Sequence, residues 1–305
     1  MFAMNRRHFL AQASLASLAG CTSLSSGTQG FIDAHVHVWT PDTQAYPLAP
    51  GFTEAQMKPA SFTPEQLFAH CKPEGVSRIV LIQMSYYATD NRYMLDTIAH
   101  QPGVFGGVAI VDESKPDVAA TMKALKSKGV RGFRINPGAQ KPDEWLSSTG
   151  MAAMWKAAEE LDMAICPLIN PEVLPLVDKM CERFPETTVV IDHFARVGVS
   201  GAIKEQQLHD LCRLARHEDT FVKTSAFYAL GEKKAPYLDL GPMIKRVRDA
   251  FGADRLMWAS DCPFQVGAGH NYHDSIALIR DRLDFLTAED KAWMLRKTAE
   301  RVFFT

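Results

Sequence analysis

The chain has 305 residues with 47% hydrophobic and 22% charged content, enough apolar material for one barrel-sized core or for two smaller ones. Its formal net charge of -2 offers no basic field to a phosphate backbone, so nucleic acid is excluded as an expected partner and a small-molecule substrate is favoured. No apolar run reaches the roughly 20 residues that a membrane-spanning helix needs, and the mature chain is expected to be soluble.

Residues 1–30 read as an address, not as part of the fold. Arg6 and Arg7 stand just ahead of an apolar stretch over residues 10–19, as in a signal peptide, and the pair resembles a twin-arginine export signal. Leu18-Ala19-Gly20-Cys21 resembles a lipobox, in which Cys21 becomes the lipidated first residue. The expectation is export, with a periplasmic or membrane-anchored location whose only membrane contact is that lipid. Small residues over 23–30 form a flexible tether. The five remaining cysteines show no CxxC spacing, so neither a disulfide framework nor a zinc ribbon is expected.

From residue 31 onward, short apolar runs alternate with amphipathic ones. The strand-like runs cover 31–38, 78–84, 104–111, 130–136, 164–169, 188–194, 221–226 and 255–260. Helix-like runs cover 63–74, 90–100, 115–127, 151–161, 171–184, 203–217, 242–251 and 273–285, and a last one covers 288–302. Eight strand-helix units imply crossover connections and a parallel sheet, closed as a single-domain α/β (β/α)8 TIM barrel over residues 31–305. A doubly wound open sheet fits less well, because the first strand runs into Asp33-Ala34-His35-Val36-His37 with no glycine-rich phosphate turn.

That run is the strongest chemical signal. Alternate residues of a strand point the same way, so His35 and His37 share a face at the barrel mouth, with Asp33 one step deeper. Two imidazoles there can converge on one metal ion or one substrate group. His193 ends the sixth apolar run, and Asp261 follows the eighth, where a carboxylate beside imidazoles can take a proton from water. Helix capping is the structural alternative for Asp261.

The segments 33–39, 191–193 and 258–263 together resemble the amidohydrolase-related family, in its second branch of small lactonases and aromatic-acid decarboxylases. Segments 80–85, 89–91 and 130–136 are similar to the lactonase group that includes the 2-pyrone-4,6-dicarboxylate lactonases. The resemblance implies a hydrolase that opens a lactone or ester of a small organic acid. Asp261 would activate water; His35, His37 and His193 would polarise the carbonyl, directly or through a metal held by these histidines and Asp261. Arg134 and Arg196 would grip the acid part of the substrate, with Ser85 and Tyr228 also lining the site. The fifth strand lacks the histidine that many metal-binding members carry, so one divalent, zinc-like ion and a metal-free site both stay open. After Lys223, the lactonase group has an arginine where Phe227, Tyr228 and Ala229 stand here, which argues against the same dicarboxylate as substrate. A metal-dependent decarboxylase or amidase of the same superfamily, and a lipid-tethered binding protein without catalysis, are the other two readings.

Overall fold

The structure, a computed structural model, describes residues 30–136 and 143–305; the arginine pair, the lipobox at Cys21 and nearly all of the tether lie outside them. Eight strands form one parallel sheet in sequence order: β1 (Phe31–Val36), β2 (Val76–Ile82), β3 (Phe105–Ala109), β4 (Val130–Ile135), β5 (Ala164–Pro167), β6 (Val189–Ile191), β7 (Thr220–Thr224) and β8 (Leu256–Trp258). The helices between and after them are α1 (Pro64–Cys71), α2 (Arg92–His100), α3 (Val118–Lys126), α4 (Glu144–Ser147), α5 (Thr149–Glu160), α6 (Leu174–Arg183), α7 (Glu205–Arg213), α8 (Gly241–Phe251), α9 (Tyr272–Ala277), α10 (Ala288–Ala292) and α11 (Thr298–Phe303). The expected barrel is the observed one.

Strand alternation sorts the core into two shells. Residues such as Ile79, Leu81, Phe133, Val222 and Trp258 face outward against the helices. Ile32, Val80, Val108, Val190 and Met257 face inward, and Phe303 of α11 plugs the bottom of the barrel. Two positions further along the same inward faces, the apolar shell gives way to polar side chains: Val190 to Asp192, Phe221 to Lys223, Ala259 to Asp261. A charged layer thus sits on an apolar floor. Helix starts are fixed locally, as where Thr63 Oγ1 accepts the Gln66 amide while Gln66 returns its side-chain oxygen to the Thr63 amide.

Between β8 and β1 the ladder is replaced by individual bonds. His37 N donates to Cys262 O at 2.8 Å and Asp261 N to His35 O at 2.9 Å. Asp33 completes the seam: its Oδ1 accepts Ser260 N at 2.9 Å and His35 N at 3.2 Å, and its Oδ2 accepts the Tyr272 hydroxyl at 2.6 Å. Burial still raises this carboxyl to about 6. Asp33 therefore does not lie beneath His35 and His37 as strict alternation suggests. The register of β1 against β2 shifts between Asp33 and Val36, which turns Asp33 to the seam and leaves both histidines facing inward.

Element ends also differ from expectation. The strands stop at Val36, Ile191 and Trp258, so His37, His193 and Asp261 stand just beyond strand ends. The helical run over 273–285 ends in a π-helical turn, Leu278–Arg282, and the run over 288–302 is interrupted by another, Trp293–Lys297. The wider second turn sets the buried Met294 and Leu295 beneath β1 and β8. The five cysteines among the described residues are all unbridged, and no helix among them is long and apolar enough to cross a membrane.

Candidate active site

Each histidine at the mouth has one ring nitrogen committed to the scaffold. His37 Nδ1 lies 2.9 Å from the Ile82 carbonyl, which can only accept, so His37 carries its proton there. His193 Nδ1 is 2.8 Å from Ser225 Oγ, whose own proton points to Lys223 O at 3.4 Å; the same tautomer follows. His35 Nδ1 lies 3.3 Å from Asp192 Oδ1, and its Nε2 is 3.1 Å from Arg134 Nη2, which can only donate. In His37 and His193 the Nε2 lone pair is left to face the pocket, whereas the His35 Nε2 lone pair is met by Arg134 and its Nδ1 also lies 3.3 Å from Lys223 Nζ. This is how outer hydrogen bonds select the tautomer of a ligating histidine.

Those lone pairs converge. His35 Nε2 and His37 Nε2 are 3.2 Å apart, and Asp261 Oδ1 is 3.5 Å from each. Asp261 Oδ2 accepts the Tyr228 hydroxyl at 2.7 Å and lies 3.8 Å from His193 Nε2. Burial works against ionisation of Asp261, but the neighbouring imidazoles, His193 foremost and then His37 and His35, outweigh it, and the carboxyl sits well below its ordinary range. Burial, with Lys223 nearby, drives His35 far below the usual histidine value; burial lowers His193 as well. Burial and the adjacent carboxylate raise Tyr228, which stays a proton donor.

Beneath this triangle lies a buried ionic layer. Lys223 Nζ and Asp192 Oδ1 are 2.9 Å apart with both side chains fully buried, and Arg134 Nη2 donates to Asp192 Oδ2 at 3.3 Å. Burial disfavours the Asp192 carboxylate, but the charge of Lys223 dominates and holds it well below its usual range. Arg134 Nε is buried with no hydrogen-bond partner.

The pocket above encloses about 390 Å³ and is lined by His37, His193, Asp261, Tyr228, Ser85, Arg134 and Arg196 among others. Of the candidate site residues expected from the sequence, His37, His193, Asp261, Arg134, Arg196, Ser85 and Tyr228 line this pocket, and the fully buried His35 stands against His37, 3.2 Å away between Nε2 atoms. Their positions differ in detail: Arg134 is turned down onto His35 and Asp192, whereas Arg196 stays at the rim with Nη1 3.2 Å from Asn170 Oδ1. Asp192, Lys223 and Ser225 were not assigned functional roles from sequence, and their partners lie on neighbouring strands. The sequence signals for them are slight: Asp192 sits within the 191–193 segment, and Lys223 is the one charged residue of β7.

The backbone carrying His193 is unusual. His193, Phe194, Ala195 and Arg196 all have positive φ, at 52°, 53°, 51° and 59°, a left-handed turn built without glycine. Asp261 shares that conformation at 63°. Such conformations persist only where surrounding structure over-determines them, and they concentrate at functional sites.

The donor set fits a single divalent ion. A tetrahedral ion with bonds of about 2.0 Å holds its ligand atoms about 3.3 Å apart, close to the observed triangle, and three neutral or anionic lone pairs at that spacing repel unless a cation or proton lies among them. His35, His37 and Asp261 would hold it, with His193 flanking. Arg134 offers positive charge to the same His35 lone pair, so guanidinium and ion are alternatives at that nitrogen.

Comparison with known proteins agrees with this geometry. The chain is 29% identical over 240 residues to an L-fucono-1,5-lactonase of Burkholderia ambifaria, covering 78% of this chain and 82% of that protein. It is 30% identical over 249 residues to a 2-pyrone-4,6-dicarboxylate hydrolase of Comamonas testosteroni, covering 77% of each. The solved structure of an amidohydrolase from Burkholderia multivorans with bound zinc superposes with a TM-score of 0.78 at 20% identity, over 90% of this chain and 99% of that one, and shares the fold. The amidohydrolase family profile matches residues 32–305, nearly everything from the start of β1 to the last residue, and the chain belongs to that family.

Proposed function

We propose that this protein is a hydrolase that opens a lactone ring by attack of water, with Asp261 as the base. The observation that carries the reading is the divided surroundings of Asp261: Oδ1 faces His35 and His37, while Oδ2 faces Tyr228 and His193. Both curated relatives named above are hydrolases of cyclic esters, which supports the same reaction class here. A divalent ion on His35, His37 and Asp261 would supply Lewis-acid polarisation of the lactone carbonyl.

The side chains account for the rest. Asp261 is ionised, so Oδ2 takes the proton of a water as that water attacks the carbonyl carbon. Tyr228 donates to Oδ2 and orients it. His193 presents an Nε2 lone pair beside Oδ2, placed to pass the proton on to the departing alkoxide. Arg196, held at the rim by Asn170, lines the pocket where it would grip a carboxylate on the substrate.

The test is lactone hydrolysis, followed by proton release, before and after chelation. Asp261→Asn keeps the shape and loses the base; kcat should fall roughly 100-fold or more with the fold intact. Near-normal turnover in a folded Asp261→Asn protein would overturn the mechanism. Loss on chelation, restored by zinc, would support the ion; full activity after chelation would assign carbonyl polarisation to the Arg134 guanidinium instead.

A further inference from the structure

We propose that a groove adjoining the catalytic pocket is a subsite for an apolar substituent, alkyl or aryl, carried by the lactone ring; the inference rests on the lactone-opening reading. The groove encloses about 840 Å³ between α1 and the segment following β8. Tyr228 and Phe264 line both it and the catalytic pocket, so the wall between the two is one side chain thick. Each of these residues also reaches the chemistry: Tyr228 through its bond to Asp261, and Phe264 through edge contact with the His37 ring at 5.8 Å between centroids.

The lining explains the class of ligand. Pro59, Phe62, Ala69, Pro263, Val266 and Ala268 supply apolar surface. Several of the polar groups among them are engaged elsewhere: the Gln66 side chain caps α1 and accepts from Ser61 Oγ at 3.3 Å, and His270 Nδ1 is held by the Tyr237 hydroxyl at 2.7 Å, while the exposed His70 stacks its ring on Phe62. Lys58 stands at the exposed margin. Such a groove recognises by contact area, not by hydrogen bonds. The catalytic pocket, at about 390 Å³, is ring-sized, so a substituent on the ring would have to reach past the Phe264 side chain, which borders both spaces, to lie in the groove. Continuity with the reacting centre favours the substrate as occupant over a second copy of the chain.

The experiment uses the full chain and a series of six-membered lactones: δ-valerolactone, then the propyl-, pentyl- and heptyl-substituted homologues. A buried methylene is worth about fourfold, so kcat/KM should rise by up to about fourfold per added CH2 until the groove is filled. Ala69→Trp, on the exposed side of α1, should flatten that rise while leaving δ-valerolactone turnover within about twofold of wild type; Ala69→Ser should keep the rise. Binding of butyrate, hexanoate and octanoate, followed by calorimetry, gives a readout that needs no turnover, and affinity should climb with length only where Ala69 is not Trp. Hydrolysis of δ-valerolactone with a flat length profile would overturn the subsite and leave the hydrolase reading standing. A rise that survives Ala69→Trp would also overturn it. If no lactone is opened, the hydrolase reading fails, and the carboxylate titration alone decides the groove. A change of oligomeric state in Ala69→Trp without a change in length dependence would give the groove to a second copy and refute the proposal.

Discussion

Removing Asp192 should destabilise the barrel out of proportion to the size of the side chain. The carboxylate is fully buried and stands 2.9 Å from Lys223 Nζ, itself fully buried, and 3.3 Å from Arg134 Nη2, whose side chain is 9% exposed. Asp192→Ala strands both cations in a low-dielectric layer, and breaking one buried pair by deleting a partner costs about 3–5 kcal/mol. With an unfolding slope near 3 kcal/mol/M, the urea midpoint should drop by roughly 1–2 M. Replacing the pair together, Asp192→Leu with Lys223→Met, removes the stranded charge of Lys223 along with the carboxylate and should recover much of that loss. The four midpoints of the Asp192→Leu and Lys223→Met cycle then isolate the coupling of the pair from the loss of each side chain. A cost below about 1 kcal/mol for Asp192→Ala would show that water reaches this layer and that its charges are not buried as the distances imply.

Ser225→Ala removes the acceptor that fixes the His193 proton on Nδ1; kcat should fall by about 10-fold or more with little change in thermal midpoint, and an unchanged kcat would mean that the tautomer is set by something else. Asp178 of α6 accepts from Arg213, Arg216 and His217, and although burial opposes ionisation these partners hold its carboxyl below the ordinary 3.8. Because the folded value is depressed, its contribution to stability is present above the unfolded value and is lost as pH falls through 3.8 toward the folded value. The urea-midpoint gap between wild type and Asp178→Asn should accordingly shrink from pH 6 to pH 3, and a constant gap would refute the linkage. Replacing Arg6 and Arg7 with Lys should retain the protein in the cytoplasm; unchanged export, read by fractionation, would dispose of the twin-arginine reading.

The alternation of apolar and amphipathic runs was legible as a barrel because parallel strands buried on both faces have few other sequence forms. His35 and His37 were legible as a pair for the same local reason, spacing two on one strand. What the sequence did not yield is non-local or backbone in origin. Lys223 and Asp192 meet across adjacent strands, 31 positions apart, and nothing in either segment names the other. The turn of Asp33 toward the seam depends on a register shift against β2, invisible in a strand that alternates cleanly on paper. The Tyr228 hydroxyl finds Asp261 only because the loops after β7 and β8 are neighbours in a closed ring.

The left-handed turn at His193–Arg196 bears on how the enzyme can be changed. L-residues disfavour that hand by about 1–2 kcal/mol each, so four in a row hold roughly 4–8 kcal/mol of conformational energy, which the packing of the buried Phe194 and Ala195 must offset. A directed-evolution library should therefore find this stretch nearly immutable. Branched residues cannot occupy it, and replacing Ala195 with glycine would relax the mount on which His193 sits. New substrate preferences should arise instead on the walls around it, where Ser85 and Phe264 stand on ordinary right-handed or extended backbone. The turn divides the mouth into a fixed tool and adjustable jaws.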